Sequence, residues 1–300
     1  RSLMLILGLL LGACKNGNAS SQSKSETPQD TIKAIKMPAI PQMMTAPEQR
    51  ADFLAKHYWD NVNFADTNYI HHPEVTEQAW ADYCDLLNHV PLETAQQAMR
   101  NVIDRTNVDK KVFTYITDLA DKYLYDPNSP MRNEEFYIPV LEAMIASPVL
   151  NETEKIRPQA RLKLAQKNRI GTKALNFTYT LASGAQGSLY QLKAEYLLLF
   201  INNPGCQACT ETIEGLKNAP IINQLLQEKK LVLLSIYPDE ELDEWKKHLS
   251  EFPNEWINGY DKKFTIKEEQ VYDLKAIPTL YLLDKDKTVL LKDATAPAIE

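Results

Sequence analysis

The stretch Tyr196-Leu197-Leu198-Leu199-Phe200-Ile201, followed by Asn202-Asn203-Pro204-Gly205 and then Cys206-Gln207-Ala208-Cys209, constrains this chain more than any other. Six apolar residues in succession are too apolar for a strand exposed on one face and predict one that is buried on both. Asn, Pro and Gly then signal a turn, and Ile213 and Leu216 at helical spacing predict a helix opening at the cysteines. Two cysteines so spaced at a helix start can close a small disulfide, with the first sulfur over the helix's unpaired N–H groups. Those groups favour an anion: a free thiol titrates at about 8.5 and a helix N-terminus lowers that value, so Cys206 is expected to be partly thiolate near neutral pH. Cys206 is the expected nucleophile and Cys209, one turn inward, the resolving thiol.

A CxxC is also half of a zinc site, which needs two more ligands in a compatible arrangement. Cys14 and Cys84 are far off in sequence and the nearest histidine, His248, is isolated on a charged segment, so neither a metal nor a cofactor is expected. A plain structural disulfide stays open as an alternative wherever the compartment is oxidising.

A chain of 300 residues with 44% hydrophobic content can hold two domains and a tail. The net charge is −7 and no basic cluster interleaves with aromatics, which argues against a nucleic-acid partner. Leu3 to Leu11 is an apolar run too short to span a bilayer but suited to a signal-peptide core. It ends in Leu11-Gly12-Ala13-Cys14, which resembles the lipobox of bacterial lipoproteins. That resemblance implies a signal peptide over 1–13, cleavage before Cys14 and lipid on its sulfur and new amine, a durable anchor because each buried CH₂ contributes about 0.8 kcal/mol. Because the chain opens on Arg1 rather than methionine, a few preceding residues are expected to be missing. Residues 14–46, polar at least to Met37, are expected to be a solvated tether. Lys15 stands where an aspartate favours inner-membrane retention, so the outer membrane is the preferred address.

From 47 to 168 the pattern is helical. Ala79, Trp80, Tyr83, Cys84 and Leu87 line one face, and Phe113, Ile116, Leu119, Ala120 and Tyr123 another, which predicts an all-α domain with its own core. Cys84 shares the stripe with Trp80 and Leu87 and reads as a buried, inert thiol. His71-His72 invites a metal reading, but adjacent residues on an extended segment point apart.

The second domain is expected over 171–300. Strands are predicted at Asn176–Leu181 and Ser188–Leu192 around a Gly-rich turn, then at Tyr196–Ile201, Leu231–Tyr237 and Trp256–Tyr260. The CxxC helix is expected to bend at Pro220, and further helices are predicted at Leu242–Leu249 and Lys267–Leu274. Thr279–Asp284 and Thr288–Lys292 close the chain as a hairpin.

Asn176-Phe177-Thr178 with Ser188-Leu189, the strand into Cys206-Gln207-Ala208-Cys209, and Ala276-Ile277-Pro278-Thr279 together resemble the TlpA/ResA-like branch of the thioredoxin superfamily over about Gly171 to Asp293. The expected fold is therefore multidomain: an all-α N-terminal domain, then an α/β thioredoxin-like domain with a central mixed sheet flanked by helices. The helical region resembles only an uncharacterised domain that precedes thioredoxin domains in some bacterial lipoproteins. The resemblance implies a thiol-disulfide oxidoreductase that faces the periplasm and reduces or isomerises protein disulfides, recharged by an upstream thiol reductant. It also implies a cis-proline at Pro278 facing the dithiol, a bond costing only about 0.5–1 kcal/mol over trans, with Ile277 presenting its backbone to an extended peptide.

Three positions depart from the family pattern. Gly205 replaces the tryptophan often found before the first cysteine, Phe200 stands at the offset of thioredoxin's buried acid, and Thr212 at that of a glutamate common in the tethered branch. Glu211 is the remaining candidate for proton transfer to Cys209. The family's closing helix would only begin at Ala296–Glu300, so an incomplete C-terminus is expected as well. Gln207-Ala208 lacks the histidine of strong oxidants, which favours reduction or isomerisation over oxidation. Two other classes stay open: a thiol peroxidase, against which Asn203 stands where a threonine is usual, and a non-catalytic envelope module that uses the fold as scaffold.

Overall fold

The computed structural model describes residues 34–300; Cys14, the signal-peptide run and most of the tether lie outside the described residues. Six helices come first: α1 (Pro47–His57), α2 (Pro73–Leu87), α3 (Leu92–Thr106), α4 (Lys110–Ala120), α5 (Glu134–Ala146) and α6 (Glu152–Ala165). Pro47 and Pro73 open their helices at positions that need no N–H, and Asn151 closes a capping box with Glu154 at the start of α6. The apolar stripes converge on one core, where Trp59, Trp80 and Tyr83 pack at ring centroids 5.5 to 6.1 Å apart. Cys84 lies in that core, and burial pushes its thiol pKa up. The stretch from 34 to 46 is not a free tether: Ile35 packs on the helical core and Asn61 donates to the Lys36 carbonyl at 2.9 Å.

The second half contains β1 (Thr178–Leu181), β2 (Gln186–Ser188), β3 (Tyr196–Ile201), α7 (Gln207–Lys217), α8 (Pro220–Gln227), β4 (Leu231–Tyr237), α9 (Leu242–Lys247), β5 (Ile257–Tyr260), α10 (Thr265–Glu268), β6 (Thr279–Asp284), β7 (Val289–Lys292) and α11 (Ala296–Ile299). They form one mixed sheet in the order β2-β1-β5-β4-β3-β6-β7, with β3, β4 and β5 parallel and the others antiparallel. Alternation splits β3 between two cores: Leu197, Leu199 and Ile201 face Tyr272, Tyr281 and Ile266, whereas Leu198 and Phe200 face Ile213, Leu216 and Trp256. A strand covered on both faces is what its unbroken apolar run predicts.

Several expected elements are redrawn. The CxxC helix does not bend at Pro220 but stops at Lys217, and Pro220 opens α8. Asn223 fixes that corner by donating to the carbonyls of Lys217 at 2.7 Å and Ala219 at 2.8 Å. The expected helix over Lys267–Leu274 is only the turn α10: Gln270 takes a positive φ of 51° and the chain departs to bury Tyr272, whose hydroxyl donates to the Leu175 carbonyl at 2.7 Å. Ser188–Leu192 is a strand end followed by a 3-10 turn at Leu189–Gln191, and the helix from Leu242 tightens to 3-10 at His248–Glu251.

The two halves meet through polar contacts. Buried Asn168 bridges the junction, donating to Val271 carbonyl and accepting from Leu175 N–H, both at 2.7 Å. Lys292 of β7 reaches the end of α6 and donates to the carbonyls of Ala165 at 3.2 Å and Lys167 at 2.7 Å, where a cation suits the helix's negative end. Arg132 donates to the Asp293 carbonyl in the same region.

Candidate active site

β3 ends at Ile201, and Asn202 ties it to β4 by donating to Ser235 Oγ at 2.8 Å. The turn that follows contains Gly205 at φ +68°, with open space where a Cβ would project. That φ is left-handed and favours glycine, which gives a backbone reason for the missing tryptophan that side-chain reasoning did not supply. Cys206 is then the N-cap of α7: its Sγ accepts from Cys209 N–H at 3.3 Å, the bond by which an N-cap side chain satisfies a free donor in the first turn. It is half-buried, whereas Cys209 is only 2% exposed. Both thiols are free in the structure.

Opposite Cys206 lies the loop before β6. The Ile277–Pro278 peptide bond is cis, and the Ile277 carbonyl is 3.7 Å from Cys206 Sγ. Thr279 Oγ1 donates to the Ala276 carbonyl at 2.6 Å and holds the loop from below. Cys206, Cys209, Ile277 and Pro278 thus come together, as the resemblance implied. Glu211 faces outward instead: its carboxylate accepts from Gln207 Nε2 at 2.9 Å on the exposed side of α7, and no hydrogen bond among the described residues joins it to Cys209.

Burial is the main reason that the Cys209 thiol pKa is pushed up to about 12, with the hydrogen bond to Cys206 adding to it and the Asn203 backbone N–H offsetting part. Asn203 belongs to a group that sequence reasoning missed. Its Nδ2 donates to Asp239 Oδ2 at 3.1 Å, and Lys267 Nζ pairs with the other oxygen at 2.5 Å, while Asn203 Oδ1 is buried with no partner. Asp239 follows the carboxyl end of β4, beside the end of β3. Parallel strands of this kind place sites at that edge, which was the available signal. Among the described residues no group of three or more His, Cys, Asp or Glu is placed to hold a metal ion, and no helix is long and apolar enough to cross a membrane.

A dithiol with one sulfur at a helix start and the other buried, faced by a cis-proline loop on a mixed sheet, defines the thioredoxin-like class. Residues 194–289 match a family described as thioredoxin-like, and residues 13–168 match the domain of unknown function DUF5106. A thioredoxin-like protein from Bacteroides caccae is 84% identical, with 90% of this chain and 97% of that one covered and a TM-score of 0.87. The chain belongs to this family of thioredoxin-like proteins with an N-terminal DUF5106 domain. The C-terminal domain of an uncharacterized protein from Bacteroides fragilis is 70% identical over 44% of this chain and 94% of its own, at a TM-score of 0.43. The thioredoxin domain of a thiol-disulfide oxidoreductase from Bacteroides vulgatus is 21% identical over 42% of this chain and 89% of its own, at a TM-score of 0.38. No curated protein matches.

Proposed function

We propose that the chain is a thiol-disulfide oxidoreductase that reduces or isomerises protein disulfides, held to the cell envelope by lipid on Cys14 and facing the periplasm, with the outer membrane as the preferred address. The observation that carries the activity is the position of Cys206 Sγ, capped by the Cys209 N–H at 3.3 Å and 3.7 Å from the Ile277 carbonyl. The Cys206 thiolate attacks one sulfur of a substrate disulfide, forming a mixed disulfide and expelling the other sulfur as a thiolate that takes up a proton. Cys209 then loses its proton and attacks Cys206 Sγ, which releases the second substrate thiol and leaves a Cys206–Cys209 disulfide. Two electrons pass to the substrate, and an external thiol reductant must return them. Isomerisation is the same first step followed by attack from another substrate thiol. The anchor is supported by the Leu3–Cys14 pattern, and its test is loss of fatty-acid labelling in Cys14→Ala.

Redox titration with mass-spectrometric thiol counting should find a reversible Cys206–Cys209 disulfide, and Cys206→Ser should lose at least a hundredfold in disulfide reduction. Cys209→Ser should accumulate mixed disulfides with its substrates. Unchanged reduction by Cys206→Ser would end this reading.

A further inference from the structure

Lys275 stands two residues before Ile277, in the loop that faces Cys206, yet its side chain points into the helical half and is only 4% exposed. Its Nζ meets Glu134 Oε1, at the start of α5, at 2.6 Å and lies 5.0 Å from the centre of the Tyr125 ring. Asp273 and Asp293 of the thioredoxin-like half approach the same ammonium at 3.3 and 3.4 Å. The other oxygen of Glu134 takes Lys292 from β7. One carboxylate of the helical domain therefore receives two buried lysines, and the first of them belongs to the loop that faces the dithiol. Burying a lysine is costly unless it is paired, so a loop carrying one is held where its partner stands.

Resting on the oxidoreductase reading above, we propose that the DUF5106 domain positions the peptide-engaging loop, with Glu134 and Lys275 as the positioning residues for Ile277 opposite Cys206. Extended peptides dock on such a backbone by strand-like pairing, so the position of the Ile277 carbonyl and its neighbours governs engagement of disulfide-bearing peptides. Lys275 touches neither thiol, so releasing it affects peptide binding more than sulfur chemistry.

The test compares Lys275→Met, Lys275→Arg and Lys292→Met in the full chain, with a disulfide-bonded model peptide as substrate. Lys292→Met is the control, because it removes a comparably buried lysine from the same Glu134, along with its bonds to the Ala165 and Lys167 carbonyls, from β7 instead of from the loop. Lys275→Met is expected to raise KM for the peptide about tenfold with kcat within twofold, Lys275→Arg to recover most of the loss, and Lys292→Met to keep KM within twofold. Hydrogen exchange at Ala276 and Ile277 should quicken at least tenfold in Lys275→Met alone. The proposal fails if KM and loop exchange in Lys275→Met stay within twofold of the parent, or if Lys292→Met moves them as far. A parent that reduces no disulfide through Cys206 sinks the oxidoreductase reading instead, and the exchange data then decide whether the domain holds the loop.

Discussion

Cys209 must ionise to complete a turnover, and burial opposes that. In the mixed disulfide Cys206 is no longer a thiol or thiolate, so its contribution to raising Cys209 disappears while burial, the larger cause, stays. A raised thiol pKa keeps the protonated form dominant below it, and the reactive fraction then grows about tenfold per pH unit. The second half-reaction should follow that slope from pH 6 to 9, read by rapid quench and mass spectrometry of the glutathione mixed disulfide. A plateau below pH 8 would reveal a base that deprotonates Cys209. Among single residues, those whose placement follows from local spacing or from a motif were legible: Cys206 and Cys209 at the helix start from the turn and helix pattern, Pro278 and Ile277 opposite them from the family motif. Gly205 was noticed as an absence and is explained by its φ of +68°. Asn203 and Asp239 were not legible, because their bond joins the ends of two strands that only the sheet brings side by side.

Elements were legible where burial is uniform or periodic and failed where a single side chain decides. The unbroken runs of β3 and β4 announced central strands, and the stripes of α2 and α4 announced the helical core. The segment from Lys267 looked helical by composition, but burying Tyr272 against Phe177 and Tyr281 outweighs local propensity there. The opening hairpin depends on a similar detail. Tyr179 of β1 pairs with Gly187 of β2, and a Cβ on Gly187 would stand 2.6 Å from the Tyr179 ring atom Cζ. A Cβ on Gly259 of β5 would likewise stand 3.0 Å from the same ring, so glycines on two strands make room for it. Gly187→Ala should therefore force Tyr179 from its place and destabilise the fold by about 1–3 kcal/mol, as overpacking does. A urea midpoint equal to the parent's would show that the ring moves without cost.

At the scale of the whole molecule, the junction between the halves is a buried cluster of charges more than an apolar seam. Contacts of this kind are separated by long stretches of chain, Glu134 and Lys275 by 141 positions, and nothing in either segment marks one for the other. Two of its carboxylates should respond in opposite directions to neutralisation. Glu134 holds two lysines whose side chains are 4% and 6% exposed. Glu134→Gln leaves both without their shared anion and should cost about 3 kcal/mol or more. Asp273 is different. Burial raises its pKa more than Lys275, whose ammonium lies 3.3 Å from its Oδ2, lowers it. With a folded pKa above the unfolded one, any stability it contributes is fully present below the ordinary carboxyl range, near about 3.9, and is lost as pH rises through the raised value. The ionised form is therefore a burden at neutral pH. Asp273→Asn should raise the urea midpoint at pH 7, and the gain should shrink as pH falls toward 4 and the parent's carboxyl takes up its proton. A lower midpoint for Asp273→Asn at pH 7 would mean that its attraction to Lys275 exceeds its desolvation, and that this carboxylate helps Glu134 to hold the ammonium in place.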